Sequence, residues 1–576
     1  MTVSGQSTSK STTIGPWNPG IRSTIPTRLL PLSTVFRAEH VETNFAEATE
    51  LAEFSGLKAE ETVAFRLERL IVHELLVRVT ADLSVPDGPE YEQLGLNLRG
   101  MVKRINERYV APRIQQLATE HVDRIETAKT FIDSELLALR ANTPPTASQT
   151  PESIFAKLAK TLRKKPKEAQ GGPENFEEKL ARAKQRWESF SEPDEAAFGH
   201  ALILIVDAIM RTQGRLPADT SIASRLAINR VINTYCSERI GLFLDKCVAE
   251  AAAGEGYEIL PAQTKPIVMN VKGASASGKS TIRPHQRELS RKLGISWRHF
   301  ALISPDYWRK YLLDYETLGD DSKYGAMLTG HELVIIDAKL DRYMAYKAER
   351  GDMPHLLIDR FRFDSFSSGT TGSNLLTRFG HTVFMFFMVT PPAETVERAW
   401  KRGLTTGRFK AVDDLLDHNI EAYTGMPALF FAWALSDKRV HYEFLDNGVE
   451  ENELPRTIAW GWNSHMTVLN VQGLLDIERF RNVNVEARSR EEVFAAEELS
   501  EEAQMKFLLR CCEKLDDVKF VDPNLDTTAL QTHLLKQSVE VQWKETDVHL
   551  KRPVHLNDRE LEAVFPDCRI GSPRAT

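Results

Sequence analysis

Residues 268–284 read VMNVKGASASGKSTIRP, and this stretch decides the fold class. It begins with apolar, partly β-branched residues that predict a buried strand. A glycine-rich segment follows, ends in Lys-Ser-Thr, and runs into residues that can open a helix. Gly273 and Gly278 allow the backbone to wrap closely around an anion, toward which amide groups of the loop and the helix start would point. The stretch therefore predicts a phosphate-binding loop, or P-loop, between a strand and a helix.

The residues of this loop have distinct expected roles in binding ATP and Mg²⁺. Lys279 should bridge the β- and γ-phosphates, the Ser280 hydroxyl should ligate Mg²⁺, and Thr281 should support the helix start. An ordinary glycine-rich turn is the alternative, but the position after a strand and before a helix argues against it. The predicted ATP-binding residues are Gly273, Ala274, Ser275, Ala276, Ser277, Gly278, Lys279, Ser280 and Thr281.

The chain after Gly254 alternates between short apolar runs and helical patterns. Helical spacing at 283–294, 325–350 and 393–402 separates these runs. The order predicts an α/β fold, a P-loop NTPase with a doubly wound parallel sheet, over residues 256–447. Continuous apolar runs typical of strands buried on both faces occur at 266–271, 299–304, 355–359, 381–390 and 441–446.

The rest of the chain divides by composition. Residues 1–38 contain no Asp or Glu and are rich in Ser, Thr and Pro, which predicts a disordered tail. Helical spacing predicts α-helical regions at 39–140 and 176–255, joined by a Pro/Ser/Thr-rich linker at 141–175. Dense charge in residues 448–576 predicts a mainly helical extension, which either packs on the sheet or binds an antidote protein.

Composition favours some partners over others. The 576 residues are 42% hydrophobic, enough for at least two buried cores. The net charge of -8 argues against a broad nucleic-acid surface and favours a small-molecule partner. The five cysteines lack zinc-ligand spacing and indicate reduced thiols in a cytosol. No apolar stretch approaches the roughly 20 residues that span a bilayer, so we expect no membrane span.

Residues after the other predicted strands are candidates for catalysis. Asp306 follows the second strand and would accept a proton from a substrate hydroxyl at the carboxyl edge of the sheet. Asp359 ends the third strand and is a candidate Mg²⁺ ligand. Arg398, Arg402 and Arg408 are spaced to form a lid that brings guanidinium groups onto a transferring phosphoryl group. A helix cap at Asp306 and a solvated arginine face are the alternatives.

Companion motifs separate the classes of P-loop protein. The Asn/Thr-Lys-x-Asp motif with which GTPases recognise their base is missing from the sequence. The third predicted strand ends LLIDRFRFDS, without the adjacent acidic pair usual in ATPase motors. These observations favour a phosphotransferase.

The order of motifs resembles the zeta-toxin family of P-loop kinases over about residues 262–447. The resemblance rests on the P-loop, on a second strand ending in Asp306, on the helix LTGHELVIIDAKLDRYM, and on E-R-A-x-x-R-x-x-x-x-G-R at 397–408. It implies ATP as phosphate donor, with Asp306 as base. It also implies the following placements: Lys279 and Ser280 on ATP and Mg²⁺, Arg402 and Arg408 on the phosphates, and Glu332 with His331 near the acceptor.

The acceptor stays open between two metabolites. The third strand continues as IDRFRFDSFSSGTTGS, where many family members have an Asp/Glu-Gly-Thr turn, and this departs from the pattern expected for UDP-N-acetylglucosamine. The segment SPDYWRKY resembles a bacterial type III effector branch that phosphorylates the 3′-hydroxyl of NAD. Aromatic and cationic residues together suit a base and a pyrophosphate, which favours a dinucleotide. The expected pocket comprises Asp306, Tyr307, Trp308, Arg309, Glu332, Arg360 and Arg362.

The sequence thus predicts an ATP-dependent kinase that acts on a hydroxyl of a nucleotide-like small molecule, as a toxin or secreted effector. The expected location is the bacterial cytoplasm, with secretion into a host cell as an extension that the acid-free N-terminus suits. An antidote or chaperone protein is a possible further partner. The alternatives are a nucleotide-gated interaction module and a polynucleotide 5′-hydroxyl kinase.

Overall fold

The computed structural model describes residues 14–88, 91–140, 176–360, 376–451, 453–494 and 499–520. The predicted linker at 141–175 and Arg362 lie outside these residues, and so does most of the predicted C-terminal extension after residue 520. The chain divides into two compact units. One unit, here the α/β unit, contains residues up to 29, residues 76–105 and residues from 248 onward; the other, the helical unit, contains residues 30–75 and 106–247.

Helices occur in both units, and among the described residues none is long and apolar enough to cross a membrane. In chain order they are α1 (Phe45–Ser55), α2 (Ala59–Thr62), α3 (Leu67–Asp82), α4 (Tyr91–Ile105), α5 (Ile114–Arg140), α6 (Phe176–Glu188), α7 (Pro193–Gln213), α8 (Ser221–Val231), α9 (Ser237–Glu255), α10 (Arg283–Lys292), α11 (Arg309–Leu312), α12 (Gly325–Leu328), α13 (Gly330–Glu349), α14 (Pro392–Thr406), α15 (Val412–Ala434), α16 (Val471–Phe480) and α17 (Glu501–Lys514).

The helical unit has a core of its own. Helices α5, α6, α7 and α8 meet around Trp187, Phe198 and Leu202, which are almost completely buried. The apolar spacing that predicts helices in this part of the chain is confirmed. The regions 39–140 and 176–255 both contribute to this core, whereas residues 76–105 belong to the α/β unit.

The α/β unit contains one mixed sheet. Its described strands lie in the order β2-β3-β1-β4-β5-β6-β7-β8. The first five in this order are parallel, β6 is antiparallel to both β5 and β7, and β8 is parallel to β7. The strands are β1 (Ile267–Lys272), β2 (Phe300–Ile303), β3 (His355–Asp359), β4 (Thr382–Val389), β5 (Arg439–Asp446), β6 (Arg456–Trp462), β7 (His465–Val468) and β8 (Asp517–Phe520).

The five parallel strands confirm the α/β class and explain where a ligand would bind. Their residues are almost all buried, as expected of a sheet covered on both faces. β1 lies between β3 and β4, and the chain leaves β1 toward β2 on one side but leaves β4 toward β5 on the other. This reversal opens a crevice outside the carboxyl ends of β1 and β4, the usual ligand position in open α/β sheets.

The described strands within 256–447 are all parallel, but the sheet is mixed as a whole, because β6, β7 and β8 continue it beyond residue 447, which the prediction did not include. β6 and β7 form a tight hairpin whose turn contains Asn463 with a left-handed φ of 47°. The Asn463 side chain accepts a hydrogen bond from the Val440 amide and donates one to the Lys438 carbonyl. The two-residue turn lies between two runs that contain no Asp, Glu, Lys or Arg from residue 457 to 468, and it is a hairpin signal in the sequence.

The predicted disordered tail is ordered from residue 14 onward. Residues 14–29, here the N-terminal strap, belong to the α/β unit. Leu29 is buried with Leu313, Tyr315 and Leu328. The strap cannot form a core by itself, as its composition indicates, but it packs its few apolar residues on a core that the rest of the unit supplies.

A buried ionic cluster joins α10 to the sheet. Glu443 of β5 lies 3.0 Å from His441 and 3.5 Å from His285 of α10. Burial opposes ionisation of Glu443, but the two histidines hold the pKa of its carboxyl well below the usual range. Burial likewise opposes the charge on His285, yet Glu443 raises the pKa of this imidazole. The helix that follows the glycine-rich loop is thereby held to β5 by charge.

This cluster predicts a pH-dependent stability. The stability that protonated His285 contributes is complete below the unfolded histidine pKa of about 6.5, and it is lost as the pH rises through the higher folded pKa. Glu443→Gln should therefore lower the melting temperature more at about pH 5.5 than at about pH 8.5. Scanning calorimetry at both pH values measures this difference. Glu451→Gln, on an exposed loop, is the control, and an equal loss at both pH values for Glu443→Gln would contradict the charged pair.

Candidate active site

A cavity of about 1330 Å³ lies at the carboxyl edge of the parallel strands, within the α/β unit. Segments distant in sequence form its wall: the glycine-rich loop, the residues after β2 and β3, one face of α14 and the loop after β5. The cavity brings together Lys279, Ser280, Asp306, Asp359 and Arg402. These predicted site residues therefore share one wall, where the crossover of the sheet places a crevice.

The glycine-rich loop, residues 273–281, is tightly packed. A side chain at Gly278 (φ 78°) would come within 2.2 Å of the Asn447 amide, and one at Gly273 within 2.8 Å of Met388 on β4. Ala276 adopts a left-handed φ of 60°. Two separate reasons thus require the glycines of the motif: backbone conformation at Gly278 and close contact at both positions.

Two side chains from neighbouring strand ends hold the loop at its centre. The Ser277 carbonyl accepts hydrogen bonds from the Thr390 hydroxyl after β4 (2.9 Å) and from the Asn447 amide after β5 (2.7 Å). Arg398 of α14 in turn donates to the Asn447 carbonyl at 2.7 Å. Thr390 and Asn447 were not predicted from the sequence. Both lie at the carboxyl ends of predicted strands, which is where ligands of open α/β sheets bind.

Lys279 is the cation of this loop. Its ammonium contacts the Ala274 carbonyl at 3.1 Å and the Gly273 carbonyl at 3.4 Å. Burial lowers the pKa of Lys279, an effect that the nearby carboxylates of Asp359 and Asp306 oppose. The Thr281 hydroxyl donates to the Gly278 carbonyl at 2.7 Å, the supporting contact at the helix start that the motif predicts.

Asp306 lies between two guanidinium groups. Its carboxylate accepts from Arg309 Nε at 2.9 Å and lies 2.7 Å from an Nη2 atom of Arg408. Although burial opposes ionisation, Arg408, Arg309 and Arg402 hold the pKa of the Asp306 carboxyl well below its usual range. Asp306 is therefore ionised at neutral pH, and its role here is that of an anion within a cationic wall.

The segment after Arg408 adds a charged cluster that sequence analysis missed. Lys410 contacts His418 and lies 3.3 Å from Asp414. Burial lowers the pKa of the Lys410 ammonium to about 8, and burial with the adjacent ammonium lowers the pKa of His418 to about 3. These groups also interact electrostatically with Asp306, which places the cluster close behind the cavity wall.

The donor set can accommodate Mg²⁺. The Ser280 hydroxyl and the Asp359 carboxylate line the same cavity, and hard oxygen donors of this kind suit Mg²⁺. Within the described ranges there is no group of three or more His, Cys, Asp and Glu side chains that could hold a metal. One hydroxyl and one carboxylate suffice for Mg²⁺ only when phosphate oxygens and water complete its coordination.

Of the predicted acceptor residues, His331 and Arg360 line the cavity, whereas Glu332 and Trp308 do not. His331 is exposed and lines the cavity at the start of α13. Arg360 also lines it, but its guanidinium is paired with Asp337 at 2.7 Å and Asp341 at 2.6 Å. Arg360 is therefore primarily a link between β3 and α13.

Two residues predicted to contact the substrate are fully buried. Glu332 and Trp308 are both 0% exposed and are not among the residues that line the cavity. The Trp308 indole donates to the Thr80 hydroxyl of α3 at 3.3 Å. Tyr307 is also buried, against Gly95 of α4. The aromatic residues after β2 thus pack against α3 and α4, elements whose place in this unit the sequence did not indicate.

A substitution at Trp308 tests this correction. Trp308→Phe should lower the stability of the α/β unit by about 1–2 kcal/mol, because it removes a buried hydrogen bond and some packed volume. Affinity for ATP and for any acceptor should stay within about twofold of the wild type. Thermal melting and ligand titration measure the two quantities. A tenfold loss of acceptor affinity at unchanged stability would restore Trp308 as a substrate contact.

Comparison of the chain with models of protein families, with curated proteins and with solved structures gave no match. The chemistry of the cavity is therefore the basis for assigning a function. Lys279 and Arg402 line the cavity together with the carboxylates of Asp306 and Asp359, and the buried Arg408 pairs with Asp306 from behind. Such a wall is suited to several anionic groups held side by side.

Proposed function

We propose that the protein is an ATP-dependent kinase that transfers the γ-phosphate to a hydroxyl of a nucleotide-like small molecule. The observation that carries the proposal is the shared wall of Lys279, Asp306 and Arg402 in one cavity. A phosphate-binding loop alone fits many nucleotide-binding proteins. An ionised carboxylate beside it, surrounded by arginines, is the additional feature that phosphoryl transfer to a hydroxyl requires.

The donor side of the cavity has the groups that a triphosphate needs. Amides of the glycine-rich loop, residues 275–280, and the Lys279 ammonium would bind the phosphates, with the loop held by Thr390 and Asn447. Ser280 and Asp359 would hold Mg²⁺, which, when bound, neutralises part of the phosphate charge. Arg402 and Arg408 would contact the phosphoryl group as charge develops on it.

Asp306 would act as the general base through an exchange of partners. While Arg309 and Arg408 both contact its carboxylate, its pKa is depressed and it is a weak base. A phosphate group that draws Arg408 away would remove the first of the causes of that depression. Binding of the donor would thus strengthen the base at the point where the hydroxyl proton must be accepted.

We further propose NAD or UDP-N-acetylglucosamine as the acceptor class, with NAD first. The lining of the cavity also includes Arg283, Arg287 and Arg309 together with the apolar Met327 and Leu333. Cations beside apolar surface suit a pyrophosphate and a base. The resemblance to zeta toxins supports the same class and a role as a toxin or secreted effector.

Mass spectrometry of reaction products tests the function. The purified protein is incubated with ATP, Mg²⁺ and one acceptor from a panel of NAD, UDP-N-acetylglucosamine, nucleosides and 5′-hydroxyl oligonucleotides. One added phosphate on NAD or on the UDP-sugar supports the proposal and identifies the acceptor. Addition to the oligonucleotide indicates a polynucleotide kinase, and addition to none of them favours a nucleotide-gated interaction module.

Lys279 should be essential for transfer. Lys279→Ala removes a charge-assisted contact to the donor phosphates, so we expect kcat/KM to fall by about 10²–10³-fold while the melting temperature changes little. Lys265→Ala is the matched control, because Lys265 is exposed and precedes the opposite end of β1. Steady-state kinetics with the acceptor found above measure the effect. Wild-type rates for Lys279→Ala would exclude the loop from the reaction.

Asp306 separates a kinase from a gated module. Asp306→Asn should lower kcat by about 10²–10⁴-fold because the amide cannot accept the hydroxyl proton, while ATP still binds. Calorimetric titration of ATP and single-turnover transfer measure the two properties separately. Asp437→Asn, at an exposed position before β5, is the control. A parallel loss of ATP affinity and turnover would instead identify Asp306 as a structural or metal-binding group.

A further inference from the structure

The N-terminal strap contacts elements on both sides of Asp306. Reciprocal backbone hydrogen bonds of 3.0 Å between Gly15 and Asn18 form a turn that presents Trp17. The Trp17 indole donates to Glu397 of α14 at 3.2 Å, and its ring packs on the apolar cluster of Val396, Ala399 and Leu416. Trp17 thus contacts the helix that carries Arg398 and Arg402.

The middle of the strap contacts the segment that carries Arg408. Lys323 donates to the Pro19 carbonyl at 2.9 Å, and the same ammonium lies 5.2 Å from the ring centre of Phe409. The Ser23 hydroxyl donates to Asp413 at the start of α15 at 2.6 Å. Phe409 in turn packs over Gly403, where a side chain would approach its ring to 2.4 Å.

The end of the strap reaches the other side of Asp306. Arg28 makes two hydrogen bonds to Asp321, at 2.6 and 2.7 Å. Ile25 and Leu29 pack in the same apolar cluster as Ala326. The Ala326 carbonyl accepts from Arg309 Nη1 at 2.6 Å, and Arg309 is the second partner of Asp306.

We propose that the N-terminal strap is a positioning element of the catalytic site, which holds the arginine-bearing segment 398–411 and the Arg309 support in register around Asp306. The inference rests on the proposed kinase function for its effect on rate, but its contacts stand independently of it. Trp17 and Ser23 act on α14 and α15, whereas Leu29 acts through Ala326. None of these strap residues is expected to touch the substrate.

The physical reason is that three long arginine side chains must converge on one carboxylate and then on a phosphoryl group. Each arginine loses considerable conformational freedom when it is held in one place. A misplacement of about 1 Å by a change remote from the chemistry can reduce the rate by about 10²-fold. The strap connects the supports of Arg309, Arg402 and Arg408, so it is suited to limit their relative movement.

The first test measures local opening and does not depend on catalysis. Hydrogen–deuterium exchange followed by mass spectrometry compares the wild type with Trp17→Ala and with the exposed double variant Ser23→Ala/Arg28→Ala. We expect at least tenfold faster exchange in residues 398–411 and unchanged exchange in β1 and β4. Arg22→Ala is the matched control, since Arg22 is an exposed cation of the same strap. Unchanged exchange at 398–411 in both strap variants would overturn the proposal.

The second test measures the effect on the reaction. With the acceptor identified as above, Trp17→Ala should lower kcat by about 10–100-fold with little change in KM for ATP, and Trp17→Phe should recover most of the loss. Faster exchange with an unchanged kcat would overturn the positioning role. If the wild type transfers phosphate to no acceptor, the kinase proposal fails, and the exchange experiment still decides whether the strap holds the segment. Should Trp17→Ala fail to fold, the double variant carries both measurements.

Discussion

The paired charges around Asp306 are the interaction on which the site depends. Arg309 and Arg408 approach its carboxylate from different segments, and Lys279, Arg402 and Lys410 all interact with the same region. Cations so close together repel one another, and removing the carboxylate between them leaves this repulsion uncompensated. Asp306 therefore offsets the repulsion among the cations that surround it. The excess of positive charge that remains is what a polyphosphate would neutralise.

The sheet brings these groups to one place. Because β1 lies at the point where the chain reverses its direction across the sheet, the glycine-rich loop opens into a crevice that neighbouring strand ends also border. Thr390 and Asn447 then hold the loop through one carbonyl, that of Ser277. Two hydrogen bonds are sufficient to hold this short loop in place, because both donors follow strands that the parallel hydrogen-bond ladder fixes.

The sequence predicted those parts of the structure that local pattern determines. The five parallel strands are continuous apolar runs, the pattern typical of strands buried on both faces. Asp306 and Asp359 could be located because ligands of open α/β sheets bind at the carboxyl ends of the strands. Lys410 and Asn447 were missed because their roles depend on which helix or loop packs beside them. The mixed part of the sheet was missed because the hairpin signal at Asn463 is only two residues long, and Asn-Ser is not the Asn-Gly pair most typical of such turns.

Trp308 and the N-terminal strap show that local sequence does not determine tertiary packing. Trp308 was predicted to contact a ligand but is buried, and the strap was predicted to be disordered but packs on the α/β unit. An aromatic residue after a strand can either line a ligand pocket or pack in the core. Trp308 is buried because Thr80 and α4 pack against it in this unit. A segment without acidic residues and with few apolar ones cannot fold alone, which is what composition measures. It becomes ordered when another part of the chain supplies the core for Trp17 and Leu29. In both cases the contacting residues are distant in sequence. The chemistry of a residue can therefore be predicted from its local sequence, but its role depends on tertiary packing.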